Sequence, residues 1–255
     1  MNNRTIFFIL SFSLLSLSLC GCGISKKDKD LYKGLSADQI YAQGQKNMEK
    51  HNYALAIKDF EALEARYPYG EHSLNAQLDL INAYYKKDDS ALALSTANRF
   101  IRMNPRHPRV DYAYYLKGIV NYDQNTSLMY RHLPLDRSAR DPSPAHESFA
   151  AFKDLIELFP NSEYAPEARQ RMVLLRNQLA NYELCVVDYY MKRGAYLSAA
   201  NRADFIIKNY DKTEAIPKAL SSMIISYRKL GMTQLSEDAE KILTSNFPTC
   251  PVPSS

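Results

Sequence analysis

The constraint that bears hardest on this chain is a short segment that recurs in phase. "YALAIKDFEALEARYP" (53–68), "AHESFAAFKDLIELFP" (145–160) and "YLSAANRADFIIKNYD" (196–211) align so that Phe60, Phe152 and Ala203 share one slot. Leu63, Leu155 and Ile206 share a second, and Tyr67, Phe159 and Tyr210 a third. The copies end at Pro68, Pro160 and Asp211, and Pro105 and Pro248 mark two more ends, at intervals of 37, 55, 51 and 37 residues. Eight residues after four of these ends stands an alanine: Ala76, Ala113, Ala168 and Ala219. Each copy of such a unit buries its apolar face only against its neighbours, so the repeat dictates a stack of like elements.

The unit has the spacing of paired helices. Gly44, Tyr53, Ala56, Phe60 and Pro68 follow the tetratricopeptide pattern: a small residue where two helices cross closely, an aromatic and an alanine on the second helix, and a proline at its end. Tyr84, Ala93 and Pro105 hold the same slots in the second unit, and Gly118 recovers the close-approach position in the third. The expected fold is an all-α, right-handed solenoid of five tetratricopeptide-like helix pairs. Only 8 glycines and few β-branched runs point away from sheets. The two long intervals differ in kind. Residues 163–193 lack glycine and have one proline near their start, which predicts one helix of about 40 Å at 1.5 Å per residue. Residues 123–144 hold three prolines with clustered Asp and Ser, which predicts a long loop. Asp136 with Arg140, and Arg137 with Asp141, stand four apart with opposite charge, so the loop reads either as a self-neutralising turn or as a docking element.

The chain opens with one cation, Arg4, and an uncharged apolar run from Ile6 to Leu19, too short to span a hydrocarbon core. Within "LSLCGCG" (17–23), Cys20 follows Leu19 and does not suit a lipoprotein signal peptidase. Cys22 follows Leu19, Cys20 and Gly21 and does. The reading is a signal peptide over 1–21, lipidation at Cys22 and a tether over 22–35. Two or three acyl chains anchor a protein stably, at about 0.8 kcal/mol per buried CH2. Gly23, in place of the aspartate that retains lipoproteins in the inner membrane, directs the protein to the outer membrane, periplasmic face. Cys20 and Cys22 lack clustered further ligands, so no metal is expected. Cys185 and Cys250 read as separate thiols, and "TCPVPSS" (249–255) as a disordered tail.

Projecting the repeat phase onto the first helix of each unit places Tyr41, Met48, Leu78, Asn82, Tyr85, Tyr112, Tyr115, Ile119 and Tyr122 on one surface. A surface so rich in tyrosine suits an extended peptide with apolar and aromatic side chains, and the competing reading is that these tyrosines pack between helices. No histidine pair flanks a glutamate, and no nucleophile elbow or phosphate loop occurs, so neither catalytic residues nor a cofactor is expected. Export makes nucleic acid an unsuitable partner, and the net charge of +4 does not call for one.

Together with the lipobox and the repeats, "RYPYGEHSLNAQLDLINAYYK" (66–86), "RFIRMNPRHPRVDYAYYLKGI" (99–119) and "DRSARDP" (136–142) resemble the BamD family, lipoproteins of the outer-membrane β-barrel assembly machine. The resemblance covers nearly the whole mature chain. It implies a non-enzymatic scaffold that binds the periplasmic domains of BamA, other lipoproteins of the complex and unfolded barrel precursors. Substrate recognition is implied for the N-terminal repeats (36–122) and docking to BamA for the C-terminal ones (145–248). "NRADF" (201–205) matches the family's docking segment and nominates Asn201 and Arg202, the latter for an interface ion pair. Arg137, Arg140 and Asp141 are nominated from the loop. A pilotin-like repeat lipoprotein serving a secretin would share the anchor and fold but lack the Asp-Arg loop and the long helix. A helical-superhelix murein lyase would need a further catalytic domain.

Overall fold

The computed structural model describes residues 30–126 and 141–253. The signal peptide, Cys22, and Arg137 and Arg140 lie outside the described residues. Residues 30–35 form turns in which Lys33 donates its N–H to the Asp30 carbonyl and Leu35 to that of Tyr32. From residue 37 onward the described chain is helical, in five consecutive pairs. These are α1 (Ala37–Glu49) with α2 (Tyr53–Arg66), α3 (Glu71–Lys86) with α4 (Ser90–Met103), and α5 (Val110–Thr126) with α6 (Ser143–Leu158). Then come α7 (Ala165–Lys192) with α8 (Tyr196–Asn209) and α9 (Ile216–Lys229) with α10 (Thr233–Asn246). The fold is an all-α helical repeat solenoid, as expected. Each helix packs on the next, and first helices also touch one another, α1 with α3, α3 with α5 and α7 with α9.

The slots read from the sequence are the core. Ala76, Ala113, Ala168 and Ala219 are fully buried, as are Leu63, Phe100, Leu155, Ile206 and Leu243 on the second helices. The five second helices also end alike. Tyr67, Asn104, Phe159, Tyr210 and Phe247 have similar backbone angles, and each donates its N–H back to the carbonyl of that buried residue four positions earlier. The described turns inside the first, second, fourth and fifth pairs carry a left-handed residue two positions before the second helix, His51 in the first. It is Asp88 in the second pair, whose neighbour Asp89 caps α4 by accepting from the Leu92 N–H at 3.1 Å, and Gly194 and Gly231 in the last two. Glycine meets that left-handed backbone at no steric cost.

What fixes the spacing inside a pair is reciprocal size. A Cβ built on Gly44 would lie within 2.8 Å of three Phe60 ring carbons, and one on Gly118 would meet Phe152 in the same way. In the second pair the same two slots hold Ile81 and Ala97, and in the fourth, counted back from the second helix, Val187 and Ala203, all fully buried. A large residue on one helix is therefore matched by a small one on the other, which keeps the interface at interior packing density. Where a second-helix alanine is replaced by Ser148, its hydroxyl donates to the Gly118 carbonyl at 2.8 Å, so the buried oxygen is paired.

Expectations about the ends of the loop and about the tail change. Helix α5 runs to Thr126 and α6 begins at Ser143, so helix takes both ends of the predicted loop 123–144. Asp123 is tied by a hydrogen bond from Tyr85, and Pro144 sits in the first turn of α6, where its missing N–H is not needed. The long helix is present as the 28 residues of α7. The tail is ordered up to Pro253, since its carbonyl accepts from Arg228 at 2.5 Å and Cys250 packs on the core. Cys185 and Cys250 are thiols.

Gly44→Ala should therefore destabilise the protein by about 1–3 kcal/mol, the range for overpacking, although alanine favours a helix by about 1 kcal/mol. Urea unfolding measures this. An unchanged midpoint would show that the Phe60 ring yields and that the crossing is not size-limited.

Candidate functional site

The tyrosines projected onto the first helices do share a surface, but their hydroxyls bridge helices. Tyr41 donates to Asp79 Oδ2 at 2.8 Å from α1 to α3, and Tyr85 donates to Asp123 from α3 to α5. Tyr115 donates to Glu167 Oε2 at 2.7 Å from α5 to α7. Burial is the main cause that lifts the Tyr41 phenol to about 12, with Asp79 adding to it, and it raises Tyr85 and Tyr115 further. Glu167 is held below the usual carboxylate range by that hydroxyl and by Arg171, which pairs with it at 2.7 Å. Gln45 also donates to Asp79, at 2.5 Å.

A second contact repeats at the heads of α3, α5 and α7, four residues before the buried alanine. His72 pairs with Asp38 at 2.7 Å, Arg109 donates to Asn75 at 3.3 Å, and Tyr164 packs on Tyr112 with ring centroids 5.3 Å apart. The same three slots meet each time with different chemistry. His72 also lies 5.2 Å from the Tyr41 ring, and Tyr164 stacks on Tyr115 at 4.6 Å. The Arg109 guanidinium lies over Tyr112 at 5.3 Å, and that of Arg171 over Tyr122 at 4.7 Å. The surface thus runs from polar at α1, with the carboxylates of Asp38 and Asp79, to aromatic and cationic between α5 and α7. His72, Arg109 and Tyr164 escape the sequence projection. Their shared offset from Ala76, Ala113 and Ala168 is the signal that marks them.

Two projected residues are corrected. Leu78 is fully buried and Ile119 nearly so, and neither lines the surface. Leu78 occupies the slot of Tyr41 and Tyr115 but has no hydroxyl to keep wet, so its side chain goes wholly into the core. Asn82 and Met48 remain half-buried.

At the C-terminal repeats, Asn201 is exposed, and Arg202 Nη1 donates to Glu183 Oε2 of α7 at 3.0 Å. The Glu183 side chain is only 9% exposed and that of Arg202 37%, so the arginine nominated for a partner already neutralises a buried carboxylate in its own chain. Its guanidinium also lies over Phe205 at 5.6 Å. Asp141 is exposed and accepts from the N–H and hydroxyl of Ser143 at 3.0 and 2.7 Å, so it shapes the start of α6.

A family model described as outer membrane lipoprotein, YfiO, matches residues 34–242. The outer membrane protein assembly factor BamD of Neisseria meningitidis serogroup A is 41% identical over 95% of this chain and 92% of its own length. The factor of the same name from Vibrio cholerae is 38% identical over 96% and 99%. A thermophilic TPR protein of Thermus thermophilus superposes with a TM-score of 0.39 at 15% identity, covering 84% of this chain and 92% of that one. The chain belongs to the YfiO family.

In this member of the YfiO family, Asp79 makes the surface sensitive to pH. Burial pushes its carboxyl up, against the opposing pull of Tyr41, Arg109 and Gln45. A carboxyl raised in the folded state binds more protons there than in the unfolded chain. Its contribution to stability is therefore greatest at low pH and falls as pH rises from the ordinary aspartate value, about 3.9, through the raised one. Asp79→Asn keeps an oxygen that accepts from Tyr41 and Gln45 and removes the buried charge. The variant should match or exceed the wild type in urea stability at pH 7, and its advantage should shrink as pH falls. An advantage independent of pH would show that Asp79 is not the group responsible.

Proposed function

We propose that this chain is a lipid-anchored scaffold of the β-barrel assembly complex, fixed through Cys22 to the periplasmic face of the outer membrane. In this reading the surface of α1, α3 and α5 holds unfolded barrel precursors, with Tyr41, Tyr85, Tyr112, Tyr115 and Tyr122 as contacts. The last two pairs hold the periplasmic domains of BamA around Asn201 and Arg202, and the segment containing Arg137, Arg140 and Asp141 adds a further contact for BamA or accessory lipoproteins. The observation that carries the reading is the near full-length identity to relatives named as outer membrane protein assembly factors.

The row of first-helix tyrosines supports it independently. Half-buried phenols with their hydroxyls fixed to carboxylates offer rigid ring faces and edges, and rigid aromatic area contacts an extended chain at low entropy cost. The carboxylates nearby are committed to tyrosine, amide and guanidinium donors, an arrangement suited to binding and not to acid–base catalysis.

Depleting the protein from cells should lower many different outer-membrane barrels together, measured by quantitative proteomics of the membrane. A loss confined to one secretin would favour the pilotin-like reading. In pull-downs from solubilised membranes, Arg202→Lys should reduce BamA recovery severalfold while keeping a cation beside Glu183. Arg202→Glu is the poorer probe, because it sets a second carboxylate against the largely buried Glu183 and would confound binding with folding. Tyr112→Ala should reduce crosslinking to unfolded barrel peptides without changing BamA recovery. Unchanged values for either variant would remove that residue from the interface.

A further inference from the structure

The three joints between consecutive first helices from α1 to α7 are not built alike. At α1/α3 and α3/α5 the backbones pack directly and side-chain bonds are added to that packing, whereas backbone contact between α5 and α7 is sparse. What joins α5 to α7 is a set of side chains. Tyr115 bonds Glu167, Tyr164 stacks on Tyr112 and Tyr115, Arg171 covers Tyr122, and Ser162 donates to Asp111 Oδ2 at 2.7 Å. On the other side of this joint α6 packs extensively against both helices.

We propose that the α5/α7 joint is the articulation of the solenoid, with α6 as its pivot and the Tyr115–Glu167–Arg171 cluster as the latch that holds it closed. Rigid helical bodies move by hinge or shear where few contacts must be exchanged, and packed interfaces elsewhere resist continuous deformation. The body ending in α5 has interlocked pairs with Gly44 against Phe60 and Ile81 opposite Ala97. The body starting at α7 has a core through α8, α9 and α10, and on the pivot side that core continues through Ala145, Phe152 and Leu155 of α6 to Ile119 of α5. Between them a tyrosine hydroxyl and a guanidinium can let go of Glu167 one at a time, and the stacked rings can slide past each other with little loss of contact. The inference concerns this joint alone and holds whatever binds the surface.

The test compares the same chemical change at two joints of the full-length protein. Nitroxides attached through a noncanonical amino acid at the exposed positions 58 on α2 and 241 on α10 report the distance between the bodies by pulsed electron paramagnetic resonance. Tyr115→Phe should at least double the width of that distance distribution. Tyr41→Phe removes an equivalent hydroxyl–carboxylate bond at α1/α3, where the backbones also pack, and should leave the width unchanged. Equal widths in Tyr115→Phe and the wild type, or equal broadening in both variants, would overturn the proposal. So would loss of helicity in Tyr115→Phe, since a latch can be opened without unfolding the bodies it joins.

Discussion

Everything in this molecule hangs on the close crossing of the two helices inside each pair. Gly44 under Phe60 and Gly118 under Phe152 bring backbones to a distance that no methyl group would permit, and the same two slots of the second pair hold Ile81 and Ala97, both fully buried, with the sizes exchanged. Because the fit is reciprocal, the pair is a nearly rigid body, and its two outward faces keep a constant relation from one repeat to the next. The identical terminations of the five second helices follow from this. Each must stop where its last buried residue, Leu63, Phe100, Leu155, Ile206 or Leu243, is covered, and the chain turns there into the next first helix.

A constant frame lets the first-helix surface vary without cost to the fold. The contact at the heads of α3, α5 and α7 is an imidazole–carboxylate contact in His72–Asp38, a hydrogen bond in Arg109–Asn75 and a ring contact in Tyr164–Tyr112. A side-chain hydrogen bond contributes about 0.5–1.5 kcal/mol net, and an aromatic pair about 0.5–1.5 kcal/mol beyond its buried area, so any of the three can close the joint. The choice among them is therefore open to selection for binding, and it places the aromatic surface toward α5 and α7.

Phase was legible in the sequence because it is a property of the backbone. The five ends, the buried alanines and the small residues under Phe60 and Phe152 all follow from counting in units of 37 with two insertions. Side-chain fate was less legible. Counting puts Leu78 beside Tyr41 and Tyr115, but only the hydroxyl decides which of the three stays at the surface. Contacts across elements were hidden altogether, since Glu183 reaches Arg202 only once α7 and α8 are folded against each other, and Arg228 reaches the Pro253 carbonyl across the last helix. The tail "TCPVPSS" has the composition of a disordered end, yet its described part, 249–253, is tied down by a donor that no local pattern announces.

The Arg202–Glu183 pair also bears on what an interface at the C-terminal repeats requires. A partner carboxylate that approached Arg202 would find the guanidinium already neutralised, so attraction at long range would be weak. At short range the planar fork retains donors beyond the one bonded to Glu183, and a second carboxylate in the plane would convert a pair into a triad. Such a contact discriminates by geometry, because only a partner that presents its carboxylate in the plane of the fork gains from it, while the buried Glu183 keeps the arginine in place beforehand. The side chain that the sequence nominates for docking is thus pre-organised by an ion pair inside its own chain, and the ordering cost falls on folding instead of on binding.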